Sequence, residues 1–200
     1  AEHFYPDMLD NLSSCKSPQQ MFGAVAKSYF AEKMGIDPHK MCVVSVMPCS
    51  AKKAESELPN MKDACGDPDV DVVLTTREMV RLFRSDCIVP SDLDEEPFDS
   101  PLGSGTGAAV IFGTTGGVAE AVARRVVEDK SKNTLQAIQF SGIRGSETIR
   151  AVTLPVGDRA LRIAVVHGLV NAQKLLDDIE SGQEYFDLVE VMTCKTGCVG

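Results

Sequence analysis

The chain has 200 residues, 44% of them apolar, and a formal net charge of −9, which is enough apolar material for the core of one large α/β unit. The acidic balance argues against nucleic acid and anionic membrane as partners. With neither a basic-then-apolar leader nor an apolar run of membrane-span length, no membrane insertion is expected and cytoplasm is the default location.

Seven cysteines, an odd number in a chain with no export signal, favour reduced thiols or metal ligands over a disulfide framework. In chain order, Phe4, Tyr5, Met8, Leu9 and Leu12 recur near helical spacing. Ser13 to Pro18 reads as a turn into a helix, with Ser17 as N-cap, Pro18 at the first helical position and Gln20 completing a capping pattern. Cys15, in that turn, reads as a packing residue. The helix over 19–34 stops at Gly35, and Asp37-Pro38 turns the chain into a strand over 41–46 with Cys42 in its core.

After Glu55 the polar stretch broken by Pro59, Gly66 and Pro68 reads as a loop that carries Cys65. Residues 70–75 predict a short strand, and Thr75 or Thr76 caps a helix through Arg84 that buries Met79, Leu82 and Phe83. Strand, helix, strand is the order of a parallel sheet. Residues 86–104, with Cys87 near their start, three prolines and a cluster of acids, read as a surface excursion or lid. The glycine-rich run 103–117 precedes a helix over 118–129, yet it lacks the Gly-Lys-Ser/Thr ending of a phosphate loop and the acidic residue of a dinucleotide fold. Its glycines are expected to let the backbone approach something closely. Residues 149–156 and 160–166, joined by Gly157-Asp158, predict a β-hairpin. Asn171 opens a helix with Leu175, Leu176 and Ile179 on one face, and a last strand spans 185–191. His167, a lone histidine at a strand end, reads as structural.

Chemistry concentrates where two apolar strands end. Val43 to Val46 runs into Met47-Pro48-Cys49, and Pro48 ends the strand, so the Cys49 thiol sits just past it. Lys52 and Lys53 follow within one turn, and cations beside a thiol favour the thiolate. At the far end Glu190-Val191-Met192 runs into Cys194 and Cys198. Such a Cys-x3-Cys pair suits zinc or an iron–sulfur cluster, and the spacing alone does not choose.

These residues resemble a known family. Met47-Pro48-Cys49-Ser50-Ala51-Lys52-Lys53-Ala54-Glu55 is similar to the second signature of the iron-only (diiron) hydrogenases, Met-Pro-Cys-Thr-x-Lys-Lys-x-Glu. Glu190 to Gly200 is similar to the start of the third, Glu-x-Met-Ala-Cys-Pro-x-Gly-Cys. Ser17 to Gly23, Thr75 to Glu78 and Ile111 to Val118 resemble further stretches of that family, so the likeness covers nearly the whole chain. It implies an α/β fold with a mostly parallel sheet flanked by helices and one β-hairpin. It also implies a cofactor, a 4Fe-4S cubane joined to a diiron subcluster with CO, CN and dithiolate ligands. By resemblance, Cys49 and Cys194 bind the cubane and Cys198 bridges it to the diiron unit. Lys52 donates to an iron-bound cyanide, and Glu55 pairs with Lys53 or assists Lys52. Ser17 lies near a cyanide, Ser13 serves the proton relay, and Gln19 belongs to the same turn. Met47, Pro48, Phe112 and Met192 line the pocket. Implied partners are ferredoxin or an electron-transfer subunit, NAD(P)-linked in some members, and hydrogenase maturation proteins.

The chain departs from the pattern in three ways. The first signature, which carries the fourth cubane cysteine, is expected upstream of Ala1, and the third stops at Gly200. Residues 1–200 are therefore expected to be one lobe of a two-lobed catalytic domain, inactive alone. Thr193 and Lys195 stand where the family usually has Ala and Pro, which leaves room for a shifted potential or a sensory role. The expected function is reversible reduction of protons to dihydrogen. The alternative is a hydrogenase-like iron–sulfur assembly or sensor protein, with a zinc-binding thiol protein third.

Overall fold

In the computed structural model, which describes residues 3–127, 131–139 and 141–199, the chain has α/β architecture and divides into two units, residues 1–102 and 103–200.

The first unit begins with a short 3-10 helix, Pro6–Asn11, that buries none of its residues. Of the apolar set there, Tyr5 is buried and Met8 half-buried, while Phe4, Leu9 and Leu12 are exposed. Helix α1 (Pro18–Val25) runs through a π turn (Ala26–Phe30) into α2 (Ala31–Met34), which Gly35 ends at φ 66°. This helix turns a largely polar face inward. Gln19, Gln20, Gly23, Ala26 and Lys27 are buried, and a Cβ on Gly23 would stand 2.0 Å from the Asp69 carbonyl oxygen. Lys27, 2% exposed, keeps its charge inside by donating to the Pro68 carbonyl at 2.6 Å and pairing with Asp71 at 2.8 Å.

Strand β1 (Val44–Met47) pairs in parallel with β2 (Val72–Thr75), Val44 opposite Val72. The strands start later than their composition predicts. The Val43 carbonyl accepts from Asp71 N at 3.0 Å, and Val43 N donates to the Asp71 carboxylate at 2.7 Å, so side-chain pairing replaces the ladder there. Cys42, expected in the core, is exposed, as is Cys15, expected to pack; each lies outside the regular elements that would bury it. Helix α3 (Ala51–Ser56) follows β1, and α4 (Thr76–Ser85) follows β2 directly through a capping box of Thr75 and Glu78. On α4, Met79 and Phe83 are half-buried while Leu82 is 47% exposed, so the buried stripe is narrower than predicted. Residues 93–102 carry no regular element.

In the second unit α5 (Gly107–Ile111), α6 (Gly117–Val126) and α7 (Lys132–Gln139) precede the hairpin of β3 (Ile149–Val156) and β4 (Arg159–His167). The last two residues of the helix expected over 118–129 lie outside the described residues. Helix α7 is not anticipated in the sequence. The hairpin register, Val156 opposite Arg159, leaves Gly157-Asp158 as its two-residue turn. After α8 (Leu169–Glu180), β5 (Leu188–Met192) joins the other edge of β4 in parallel, so the order is β3-β4-β5. Central β4 is apolar at every position from Ile163 to Val166 because both of its faces are covered. Ile163 and Val165 pack with Ala119, Ala123, Ile138 and Ile143. Ala164 and Val166 pack with Ala172 and Leu175 of α8. His167 ends the strand 1% exposed.

Candidate functional site

In the first unit, Pro48 closes β1 and Cys49 sits half-buried in the bend before α3. Lys52 and Glu55 then share one face of α3, Lys52 Nζ standing 2.9 Å from Glu55 Oε1. Glu55 Oε2 accepts from Ser17 Oγ at 2.7 Å and from Gln19 Nε2 at 2.8 Å. Gln19 also donates to the Lys52 carbonyl at 3.2 Å, and its Oε1 accepts from Ser45 Oγ of β1 at 2.8 Å. Glu55 and Gln19 together thus tie the start of α1, strand β1 and α3 around the bend that carries Cys49. Burial opposes the charge on Glu55, but hydrogen bonds from Lys52, Ser17 and Gln19 outweigh it and hold the carboxyl below its ordinary range.

Of the two pairings expected for Glu55, the structure realises the one with Lys52. Lys53 instead reaches Glu78 at 2.7 Å, outside the Glu55 network. Ser17 does occupy the N-cap position, yet its hydroxyl makes no capping bond, because the Glu55 carboxylate, a charged acceptor, takes it. Gln20 does not complete the expected cap: it is fully buried. Ser13, exposed, lies outside the network, its Oγ accepting from Cys15 N at 3.2 Å. Met47 is half-buried and Pro48 exposed.

In the second unit β5 delivers half-buried Met192, and Cys194 and Cys198 follow on an exposed loop. That loop lies against the strap 113–117, the stretch after Phe112 in the glycine run. Thr115 N donates to the Thr196 carbonyl at 3.1 Å and Val199 N to the Gly113 carbonyl at 3.2 Å. Gly113 and Gly197 have no room for a side chain: a Cβ would stand 2.8 Å from Val199 Cγ1 and 2.6 Å from Gly113 O respectively. Of the glycine run, Gly113 thus meets the cysteine loop, while a Cβ on Gly116 or Gly117 would crowd the carbonyl oxygen of Ile143 or Ile111. Phe112 is half-buried at the end of α5.

Two buried charged groups hold this strap, and neither stood out in the sequence. Glu190 on β5 accepts from Gly116 N at 2.5 Å and from Ala119 N at 2.7 Å, placing a carboxylate at the α6 N-terminus. Arg150 on β3 donates to the carbonyls of Ile143 at 3.0 Å and Gly145 at 2.8 Å, to that of Glu147, and to Thr115 Oγ1 at 3.0 Å. Burial pushes its pKa down, and Glu190 and Glu147 offset part of that. The one signal in the sequence was that Glu190 opens the third motif.

The donor set suits iron–sulfur chemistry. Both strand ends offer thiols, with Cys49 half-buried and Cys194 and Cys198 accessible. Among the described residues, no three or more Cys, His, Asp or Glu side chains stand grouped to hold a metal ion.

Fold and site together define an α/β protein that presents cysteines just past its strand ends. The family model for the iron-only hydrogenase large subunit, C-terminal domain, matches residues 1–200, and the chain belongs to that family. It is 49% identical to the NADP-reducing hydrogenase subunit HndD of Solidesulfovibrio fructosivorans, over 100% of this chain and 34% of that protein. It is 40% identical to the periplasmic Fe hydrogenase large subunit of Nitratidesulfovibrio vulgaris, over 100% of this chain and 47% of that one. A more distant relative, the cytosolic Fe-S cluster assembly factor narfl of Xenopus tropicalis, is 30% identical over 96% of this chain and 41% of its own length. Among solved structures, the FeFe-hydrogenase HydA1 from Chlamydomonas reinhardtii matches with a TM-score of 0.74 and 34% identity, over 98% of this chain and 57% of that chain. The chain thus spans less than half the length of the curated relatives named here. No helix among the described residues is long and apolar enough to cross a membrane.

Proposed function

We propose that this chain is one lobe of a hydrogenase catalytic domain, which in the full-length protein carries out 2H⁺ + 2e⁻ ⇌ H₂. The observation that carries the reading is the Glu55 network, which holds an ammonium group, a hydroxyl and an amide around the Cys49 bend. A protein that bound only a cubane through its thiols would have no anionic ligand for Lys52 to recognise. In this reading Cys49, Cys194 and Cys198 would be the thiolates that hold the iron–sulfur group, with Cys198 also serving its diiron part.

The bound cofactor supplies the low-valent iron and the electron store that protein side chains lack. The chain's own residues bind, orient and exclude water. Lys52, its Nζ steadied by Glu55 at 2.9 Å, would give a charge-assisted hydrogen bond to a cyanide ligand. Ser17 and Gln19 orient that pair, while Met47 and Pro48 in the first unit and Phe112 and Met192 in the second would offer apolar contacts to the group. Ser13 passes protons. Electrons come from ferredoxin or an electron-transfer subunit, and the NADP-reducing name of one relative supports a nicotinamide-linked partner. Maturation proteins install the diiron unit. The protein works in the cytoplasm in this reading, where thiols stay reduced.

A second reading, an iron–sulfur assembly or sensor protein without hydrogen turnover, is favoured by one relative named as an assembly factor and by Thr193 and Lys195. Infrared spectroscopy of the matured full-length protein separates the two. Iron-bound CO and CN stretches are expected; their absence in protein that carries its cubane supports the second reading.

A further inference from the structure

We infer that Arg150 is a positioning residue for the Cys194–Cys198 loop, acting through the Thr115 side chain. The loop has few anchors of its own: it is exposed at Cys194, Lys195, Thr196 and Cys198, its internal Gly197 N to Cys194 carbonyl bond is long at 3.3 Å, and Thr196 stands at φ 66°. A non-glycine residue in that region is held there by its surroundings.

What holds it is the strap. Before the loop, Glu190 grips the strap's Gly116 and the α6 amide of Ala119. Within and after the loop, the Thr196 carbonyl and the Val199 amide pair with Thr115 and Gly113. The strap is in turn fixed from behind by Arg150, a residue 7% exposed, whose guanidinium joins Thr115 Oγ1 to the carbonyls of Ile143, Gly145 and Glu147. Thr115, 4% exposed, therefore faces both ways: its hydroxyl takes the buried cation, and its amide takes the cysteine loop. A planar fork with several fixed donors does this where an ammonium on a flexible stem does not. A preorganised loop keeps both thiols in one geometry for a cluster, a use that rests on the proposed function.

The test uses the full-length protein and compares Thr115→Val, Thr115→Ser and Arg150→Lys. Without cofactor, residue-resolved amide hydrogen exchange reads the loop directly. Exchange at Thr115, Gly197 and Val199 is expected to rise at least about tenfold in Thr115→Val and Arg150→Lys, to return close to wild type in Thr115→Ser, and to stay unchanged in α8. With iron and sulfide reconstituted, the first two variants are expected to lose iron to a chelator several-fold faster than wild type. Unchanged exchange at those three amides in folded Thr115→Val overturns the positioning role, as does failure of Thr115→Ser to restore it. A wild type that takes up no iron–sulfur cluster overturns only the functional reading, since the exchange result stands without it.

Discussion

Lys52 and Glu55, one turn apart on α3, meet at 2.9 Å, and the second oxygen of the same carboxylate receives Ser17 and Gln19 from the start of α1. A surface i,i+3 pair contributes little by itself. This one matters because Glu55 also satisfies buried Gln19, so that the charge, the strand end and the helix start are positioned together.

Removing that acceptor leaves polar groups without a partner. Glu55→Ala is expected to lower stability by about 1–3 kcal/mol, whereas Glu55→Gln, which keeps an acceptor oxygen, is expected to lose less than half of that. Urea denaturation at neutral pH checks both. Equal losses would show that the charge of Glu55, rather than its acceptor capacity, is what holds the turn.

Acid is expected to weaken the fold through the depressed carboxyls. Hydrogen bonds from Lys53 and Thr75 hold Glu78 at about 2, against an unperturbed 4.5, and Glu55 is lowered as well. A carboxyl depressed in the folded state stabilises it fully above the unfolded value and loses that contribution as pH falls through the folded one. The denaturation midpoint should therefore fall as pH drops from 4.5 toward 2, the range of the Glu78 shift. Glu78→Gln should flatten that slope while lowering the midpoint at neutral pH; an unchanged slope would contradict the assignment.

Two glycines with the same backbone angle separate conformational strain from steric conflict. Gly116 and Gly142 both stand at φ 87°, but a Cβ on Gly116 would lie 2.2 Å from the Ile143 carbonyl oxygen, whereas one on Gly142 meets nothing within 4 Å. Gly142→Ala is expected to cost about 1 kcal/mol and Gly116→Ala about 3 kcal/mol or more. Thermal denaturation of the two variants gives the comparison directly.

Glu120 is fully buried and paired with Arg124 and Arg144. Glu120→Ala removes the buried carboxylate that Arg124 and Arg144 share and is expected to cost about 3 kcal/mol. Glu184→Ala, which breaks the exposed 3.0 Å bridge to Arg162, is expected to cost less than about 1 kcal/mol. A cost for Glu120→Ala as small as that for Glu184→Ala would argue against a structural role for the buried triad.

Cys198→Ala is expected to abolish retention of the diiron unit in matured full-length protein, with loss of its CO and CN infrared bands. Retention of those bands together with activity would refute the bridging role. The chain's fold should survive the change, since Cys198 is exposed; circular dichroism provides that control.

Several features followed from the order of residues alone. The helix start at Thr75 or Thr76, the Gly157-Asp158 turn, the apolar face of α8 and the arrival of Cys49 and Cys194 just past strand ends are each encoded within about ten neighbouring residues by turn chemistry and periodicity. Partner choice was not. Nothing in the spacing tells that Lys53 pairs with Glu78, 25 residues away, that Ser17 gives its hydroxyl to Glu55 rather than to its own helix, or that Glu190 reaches amides as far as 74 residues back. The polar inner face of α1 and the helix over 132–139 escaped for the same reason. A buried charge or amide is tolerated only where packing brings it a partner, and packing between segments distant in sequence exists only once the chain has folded.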